Sequence, residues 1–228
     1  MNEKANISNL CDKDENCFGM VRLKPPTPFM FPLPSTQVKV MVVSEQPLHL
    51  SSIDRLKGLL QSPEGNNLPR RLKELLGDRF TQSITDETGD FYWTHFIKCP
   101  GNLRDKGDEF NYRKCADMYI PFELQKLRPS LVICIGKSIS EWFLERLTER
   151  RFFEKTGRRK DWKDIVIEQM CVKNIGFSEF PLSAGSQDIS LRMKIIFLIH
   201  PSERSQLGWN IDKHLKRIID STIDSVLD

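Results

Sequence analysis

The chain has 228 residues, 39% of them hydrophobic, which is enough to build one buried core within the size a single domain serves. Its 34 basic and 31 acidic residues nearly cancel, so a net charge of +3 excludes no class of partner and only local clusters are informative. No apolar run approaches the roughly 20 residues of a membrane span. Met1-Asn2-Glu3-Lys4 opens a polar stretch with no secretory signal pattern, so an intracellular protein with no membrane partner is expected.

Residues 1–37 lack helical or strand periodicity, and five prolines lie between Pro25 and Pro34, which predicts an extended arm ahead of a domain spanning 38–228. Val38 to Val43 reads as a first buried strand that runs into Ser44-Glu45-Gln46-Pro47. Leu56, Leu59, Leu60, Leu68, Leu72, Leu75 and Leu76 recur at helical spacing, with Gly77 as a stop. Phe91 to Ile97 is a second strand, ending at Lys98-Cys99. Tyr112 to Leu127 is a helix in which Cys115, Met118, Phe122 and Leu127 share a side and Pro121 would introduce a bend. Leu131 to Ile135 is a short strand ending at Gly136, and a helix follows from Ile139 to Leu147. Ile165 to Val172 is a mixed strand candidate and Lys194 to Ile199 a clear one. Ile211 to Leu227 closes the chain as an amphipathic helix carrying Ile211, Leu215, Ile218, Ile219 and Ile223 on one stripe.

Short continuous apolar strands alternating with helices predict an α/β fold, a three-layer α/β/α sandwich with a central, mostly parallel sheet. Ligands of such sheets bind beyond the carboxyl ends of the strands. Three strand ends would converge there: Ser44 to Pro47, His95 to Cys99, and His200-Pro201-Ser202.

Six cysteines in a chain without a secretory signal read as thiols or metal ligands before disulfides. Cys99 and Cys115 lie sixteen positions apart, and Cys11 and Cys17 sit at the other end of the chain, a layout that suggests four thiolates around one metal centre. Cys134, inside a strand, reads as a buried small apolar residue, and so does Cys171. From Arg150 to Lys163 there are seven basic and two acidic residues, interleaved with Phe152, Phe153 and Trp162. Such a run is either a solvated face or a surface for phosphates and stacked bases. Gly136-Lys137-Ser138 looks like the end of a phosphate-binding loop, but Leu131 stands where its first glycine would be, which argues against nucleotide hydrolysis.

Taken in order, several of these segments resemble the iron-sulfur branch of the uracil-DNA glycosylase superfamily, the enzymes called families four and five. Ser44-Glu45-Gln46-Pro47-Leu48 is similar to that family's Gly-Glu-Ala-Pro-Gly. Tyr92-Trp93-Thr94-His95-Phe96-Ile97-Lys98-Cys99 is similar in register to Tyr-Ile-Thr-Asn-Val-Val-Lys-Cys, Cys115 stands at the next cysteine's distance, and His200-Pro201-Ser202 is similar to the closing His-Pro motif.

The resemblance implies a 4Fe-4S cluster on Cys11, Cys17, Cys99 and Cys115, and DNA, single-stranded or as a lesion-containing duplex, as the partner of a monomer. It implies that Glu45 orients water and offsets positive charge on the sugar while His200 stabilises the departing base. Gln46, His95 and Ser202 would surround the base, and Arg158, Arg159, Lys160, Arg204 and Leu207 would contact DNA. Where the family carries a base-reading asparagine this chain has His95. Both glycines of the first motif are absent, and Gln61 to Pro69 holds no counterpart of the stacking Gly-Arg-Pro-Phe-Val-Gly. An asparagine amide matches a uracil edge with a donor and an acceptor together, whereas imidazole offers one group at a time. Two readings follow: a glycosylase for a deaminated or damaged base, and a binding protein on the same scaffold that does not turn over.

Overall fold

The computed structural model describes residues 33–34, 37–45, 58, 60, 68–86, 89–99, 112–145, 173–177, 191–198, 200 and 213–228. In chain order these form β1 (Val40–Ser44), α1 (Leu68–Asp86), β2 (Phe91–His95), α2 (Tyr112–Leu127), β3 (Leu131–Ile135), α3 (Lys137–Glu145), β4 (Lys173–Phe177), β5 (Leu191–Leu198) and α4 (Lys213–Leu227). The sheet runs β2-β1-β3-β5-β4. β1 pairs parallel with β2 and β3, β3 pairs parallel with β5, and β4 runs antiparallel along the edge of β5.

Every residue of β1, β2 and β3 is buried, as expected of parallel strands covered on both faces. Strand alternation assigns the faces. Phe91 and Trp93 point toward α1, where the Phe80 ring lies 5.7 and 6.0 Å from theirs and Ser83 Oγ accepts the Phe91 amide at 2.8 Å. Tyr92 and Thr94 point the other way and donate to Glu123 of α2. Lys216 of α4 donates to the Leu75 carbonyl at 3.2 Å, which seats α4 beside α1. Trp142 of α3 donates to Asp117 of α2 at 2.7 Å on the opposite face. Two helix layers therefore sandwich the sheet.

Several boundaries differ from the sequence reading. Gly77 does leave helical geometry, at φ 75°, yet the chain resumes a helix to Asp86 because Phe80 and Ile84, four apart, bury a fresh apolar stripe. Just before this kink, the Leu75 carbonyl accepts from Lys216 of α4. The buried stripe of α2 is Ala116, Tyr119, Ile120, Glu123, Leu124 and Leu127; Cys115, Met118 and Phe122 lie on its half-buried flank, one position round from the expected side. α2 continues through Pro121 and ends where Arg128 takes φ 46° and donates to the Leu124 carbonyl at 2.9 Å. β5 begins at Leu191, three residues before the expected start. The edge strand is Lys173–Phe177, and the candidate at 165–172 lies outside the described residues.

β1 leads toward α1 on one face and β3 toward α3 on the other, so the connections diverge at the carboxyl ends of these two neighbouring strands, the position at which open α/β sheets bind ligands in a crevice. No described helix is long and apolar enough to cross a membrane.

Candidate functional site

Parallel register aligns the strand ends. Ser44 pairs with His95, and Ile135 pairs with Leu198, so Glu45, His95, Gly136 and His200 all lie just at or beyond the same edge of the sheet. Gly136 occupies the exit of β3, between the strands that carry Glu45 and His200. It adopts φ 117° and donates to the Leu198 carbonyl at 2.8 Å, and a Cβ there would stand 3.9 Å from the His200 Cβ. An L side chain is strained at that φ, so glycine satisfies the turn and leaves no side chain between the two strand ends.

His200 is half-buried. Burial lowers its affinity for a proton, and the carboxylate of Glu45 works against that lowering. The two side chains thus share one electrostatic environment across the exit of β3. A neutral imidazole is the form that results at neutral pH, and it can donate one hydrogen bond while its other nitrogen accepts.

His95 lies on the α1 side of β2, with its ring 5.4 Å from the Trp93 ring and only 2% of its surface exposed. Trp93 Nε1 donates to Ser44 Oγ at 2.9 Å, which ties this aromatic pair to the end of β1. Burial first, and the charge of Lys98 second, hold His95 well below the usual imidazole pKa of 6.5. The consequence for stability has a definite sign. The unfolded chain protonates this histidine near pH 6.5 and the native state does not, so stability is constant above that pH and falls as pH drops below it, until the native pKa is reached. Each such histidine contributes a slope of up to about 1.4 kcal/mol per pH unit. Denaturant titrations between pH 7 and 5 should therefore show a shallower dependence in His95→Gln, by about one proton, and equal slopes would contradict the burial of a neutral ring.

Beyond His95 the backbone turns under the site. Phe96 and Ile97 donate their amides to the carbonyls of Ser44 and Glu45 at 2.7 and 2.9 Å. Lys98 is fully buried, and its ammonium donates to both oxygens of Glu123 at 2.9 and 2.8 Å and to Thr94 Oγ1 at 2.5 Å. Thr94 and Tyr92 donate to Glu123 Oε1 at 2.8 and 3.1 Å. Burial, and then the Glu123 carboxylate, push the Tyr92 phenol well above its usual pKa, so it stays a donor. Sequence reasoning missed this network. The available signal was a threonine four residues before a lysine at a strand exit, but its acidic partner lies 25 positions further on, in a helix.

The Lys98 amide donates to Cys115 Sγ at 3.4 Å, and Cys99 is the next residue, 3% exposed. The fold thus brings the downstream cysteine pair to one place. Among the described residues no group of three or more His, Cys, Asp or Glu side chains is placed to hold a metal. Cys11 and Cys17 lie outside the described residues, as do Gln46, Ser202, Arg158, Arg159, Lys160, Arg204 and Leu207. Cys134 is buried in β3, where desolvation pushes its thiol well above the ordinary range, consistent with an inert packing role.

The family model described as the uracil DNA glycosylase superfamily matches residues 31–221, a span containing all five described strands and the strand ends at Ser44, His95 and His200. A comparison with curated proteins finds no match.

Proposed function

Because the chain belongs to the uracil DNA glycosylase superfamily, we propose that it binds DNA and hydrolyses the N-glycosidic bond of a deaminated or damaged base turned out of the stack. What supports this most is the juxtaposition of Glu45 and His200 at the crevice, with a bare glycine between their strands. In the reaction the C1′–N bond breaks and its electron pair leaves with the base, while positive charge builds on the sugar. Glu45 offsets that charge and accepts a proton from the water whose oxygen bonds to C1′. Neutral His200 donates a hydrogen bond to the departing anionic base. The departed base anion takes up a proton through solvent as Glu45 releases the one it accepted, leaving a free base and an abasic site. Gln46, His95 and Ser202 surround the base in this reading, and a single neutral imidazole in place of an amide points to a base other than uracil. Incubation with oligonucleotides carrying uracil, hypoxanthine, xanthine or oxidised bases, followed by cleavage at abasic sites, tests it; strand scission at one of these lesions is expected.

The near-complete burial of His95 against Trp93 favours a second reading, in which the same scaffold holds DNA or another partner without turnover. Tight binding to every oligonucleotide of that panel with no scission would select it.

The DNA path proposed here crosses the crevice mouth, with Arg158, Arg159 and Lys160 on phosphates and Arg204 and Leu207 beside the extruded nucleotide. Replacing the first three together by neutral residues should make the logarithmic salt dependence of binding shallower by about 2 to 3, at roughly 0.7 to 0.9 per phosphate contact. An unchanged slope would assign that segment to an ordinary solvated face.

A 4Fe-4S cluster on Cys11, Cys17, Cys99 and Cys115 completes the proposal, with a structural role: it would tie residues 1–37 to the exit of β2. Thiolates in a buried setting with an amide directed at sulfur suit such a group. Protein purified anaerobically should be brown and contain iron and sulfide, and Cys99→Ala should lose both. A colourless, iron-free chain of equal stability would remove the cluster. The setting proposed is intracellular, where DNA is found.

A further inference from the structure

We propose that Lys98 is a positioning residue for Glu45, acting through the turn 96–99. The segment is hydrogen-bonded at both ends: the Phe96 and Ile97 amides hold the Ser44 and Glu45 carbonyls, and the Lys98 amide reaches Cys115 Sγ. Between them the Lys98 ammonium is fixed by both Glu123 oxygens and by Thr94, with neither charged side chain exposed to water. It also sits 5.7 Å from the centre of the Tyr119 ring, so its one cation is enclosed by α2.

A buried ion pair adds little net stability over apolar residues of similar volume, because desolvating both charges offsets most of their attraction. What it supplies here is a fixed location. Glu123 is anchored in the helix α2, Lys98 is bound to Glu123, and the two residues before Lys98 in the chain carry the amides that hold the end of β1. The backbone of Glu45 is thereby referenced to α2, and the same turn delivers Cys99 next to Cys115. Loss of the pair would leave β1 intact and free Glu45, the residue just beyond it, to wander, which matters because a catalytic group displaced by about 1 Å can cost roughly 10²-fold in rate. This rests on the role proposed for Glu45, while the anchoring itself does not.

The test uses the full chain and the double variant Lys98→Met/Glu123→Met, which removes both charges together. In hydrogen exchange followed by NMR, the Phe96 and Ile97 amides should exchange about tenfold faster or more, while Met41 to Val43 in the centre of the sheet keep their protection, as expected of a local opening. Thr94→Val, which removes only the hydroxyl joining the two charged groups, should give the same pattern at smaller amplitude and serves if the double variant does not fold. Single-turnover excision should slow in step, with DNA affinity unchanged. Unaltered exchange at Phe96 and Ile97 would overturn the proposal, and so would an equal loss of protection throughout β1. Faster exchange at those amides in a protein that excises no base would leave the anchoring standing and overturn the glycosylase reading instead.

Discussion

Single-turnover excision is expected to fall by about 10²-fold or more in each of Glu45→Gln and His200→Ala, the scale associated with removing one positioned catalytic group. Glu45→Gln keeps the shape of the side chain and its backbone link to Ile97, and removes the charge that in the proposed reaction offsets the sugar cation. His200→Ala removes the donor proposed for the leaving base. If Glu45 and His200 act on opposite ends of one breaking bond, as proposed, the double variant should lose less than the product of the two single losses, as residues acting as a unit do. His95→Asn should move preference toward uracil, since an amide restores a paired donor and acceptor at the base edge. Excision that survives loss of both Glu45 and His200 would place the chemistry elsewhere.

The largest stability effect is expected from Lys98→Met alone. Glu123 would remain fully buried with only the Tyr92 and Thr94 hydroxyls to satisfy it, and removing one partner of a buried pair typically costs about 3–5 kcal/mol. Lys98→Met/Glu123→Met should recover most of that loss, because two apolar side chains of similar volume leave no uncompensated charge. Urea titration of the wild type and both variants measures it directly. Equal destabilisation of the single and double variants would mean that packing, with no contribution from charge, sets the cost.

Much of the scaffold was legible in the chain because its strands are short unbroken apolar runs. Leu131 to Ile135 and the helix Tyr112 to Leu127 were bounded correctly, each being closed by a residue that cannot continue it: Gly136 at φ 117° and Arg128 with Pro129 behind it. Residues 78–86 were lost because most are polar, and only Phe80 and Ile84 reveal the buried side. The face of α2 was misjudged by one position because Glu123, a carboxylate, belongs to its buried stripe. No periodicity argument places an acidic residue inside a core. That the strand ends carrying Glu45 and His200 share one edge was legible from the α/β pattern, because parallel strands exit a sheet on the same side. What the pattern could not supply was Gly136 between them, because strand order, which puts β3 between β1 and β5, is a tertiary property. Lys98 is illegible for a related reason: its partner Glu123 comes from another element.

Product identification tests the central claim most directly. The wild-type chain, incubated in excess over an oligonucleotide bearing one lesion from the panel, should release the free base in amounts equal to the abasic sites formed, with Glu45→Gln slowing both appearances together. Oligonucleotide bound with high affinity and recovered intact from every member of the panel, with no free base detected, would contradict it.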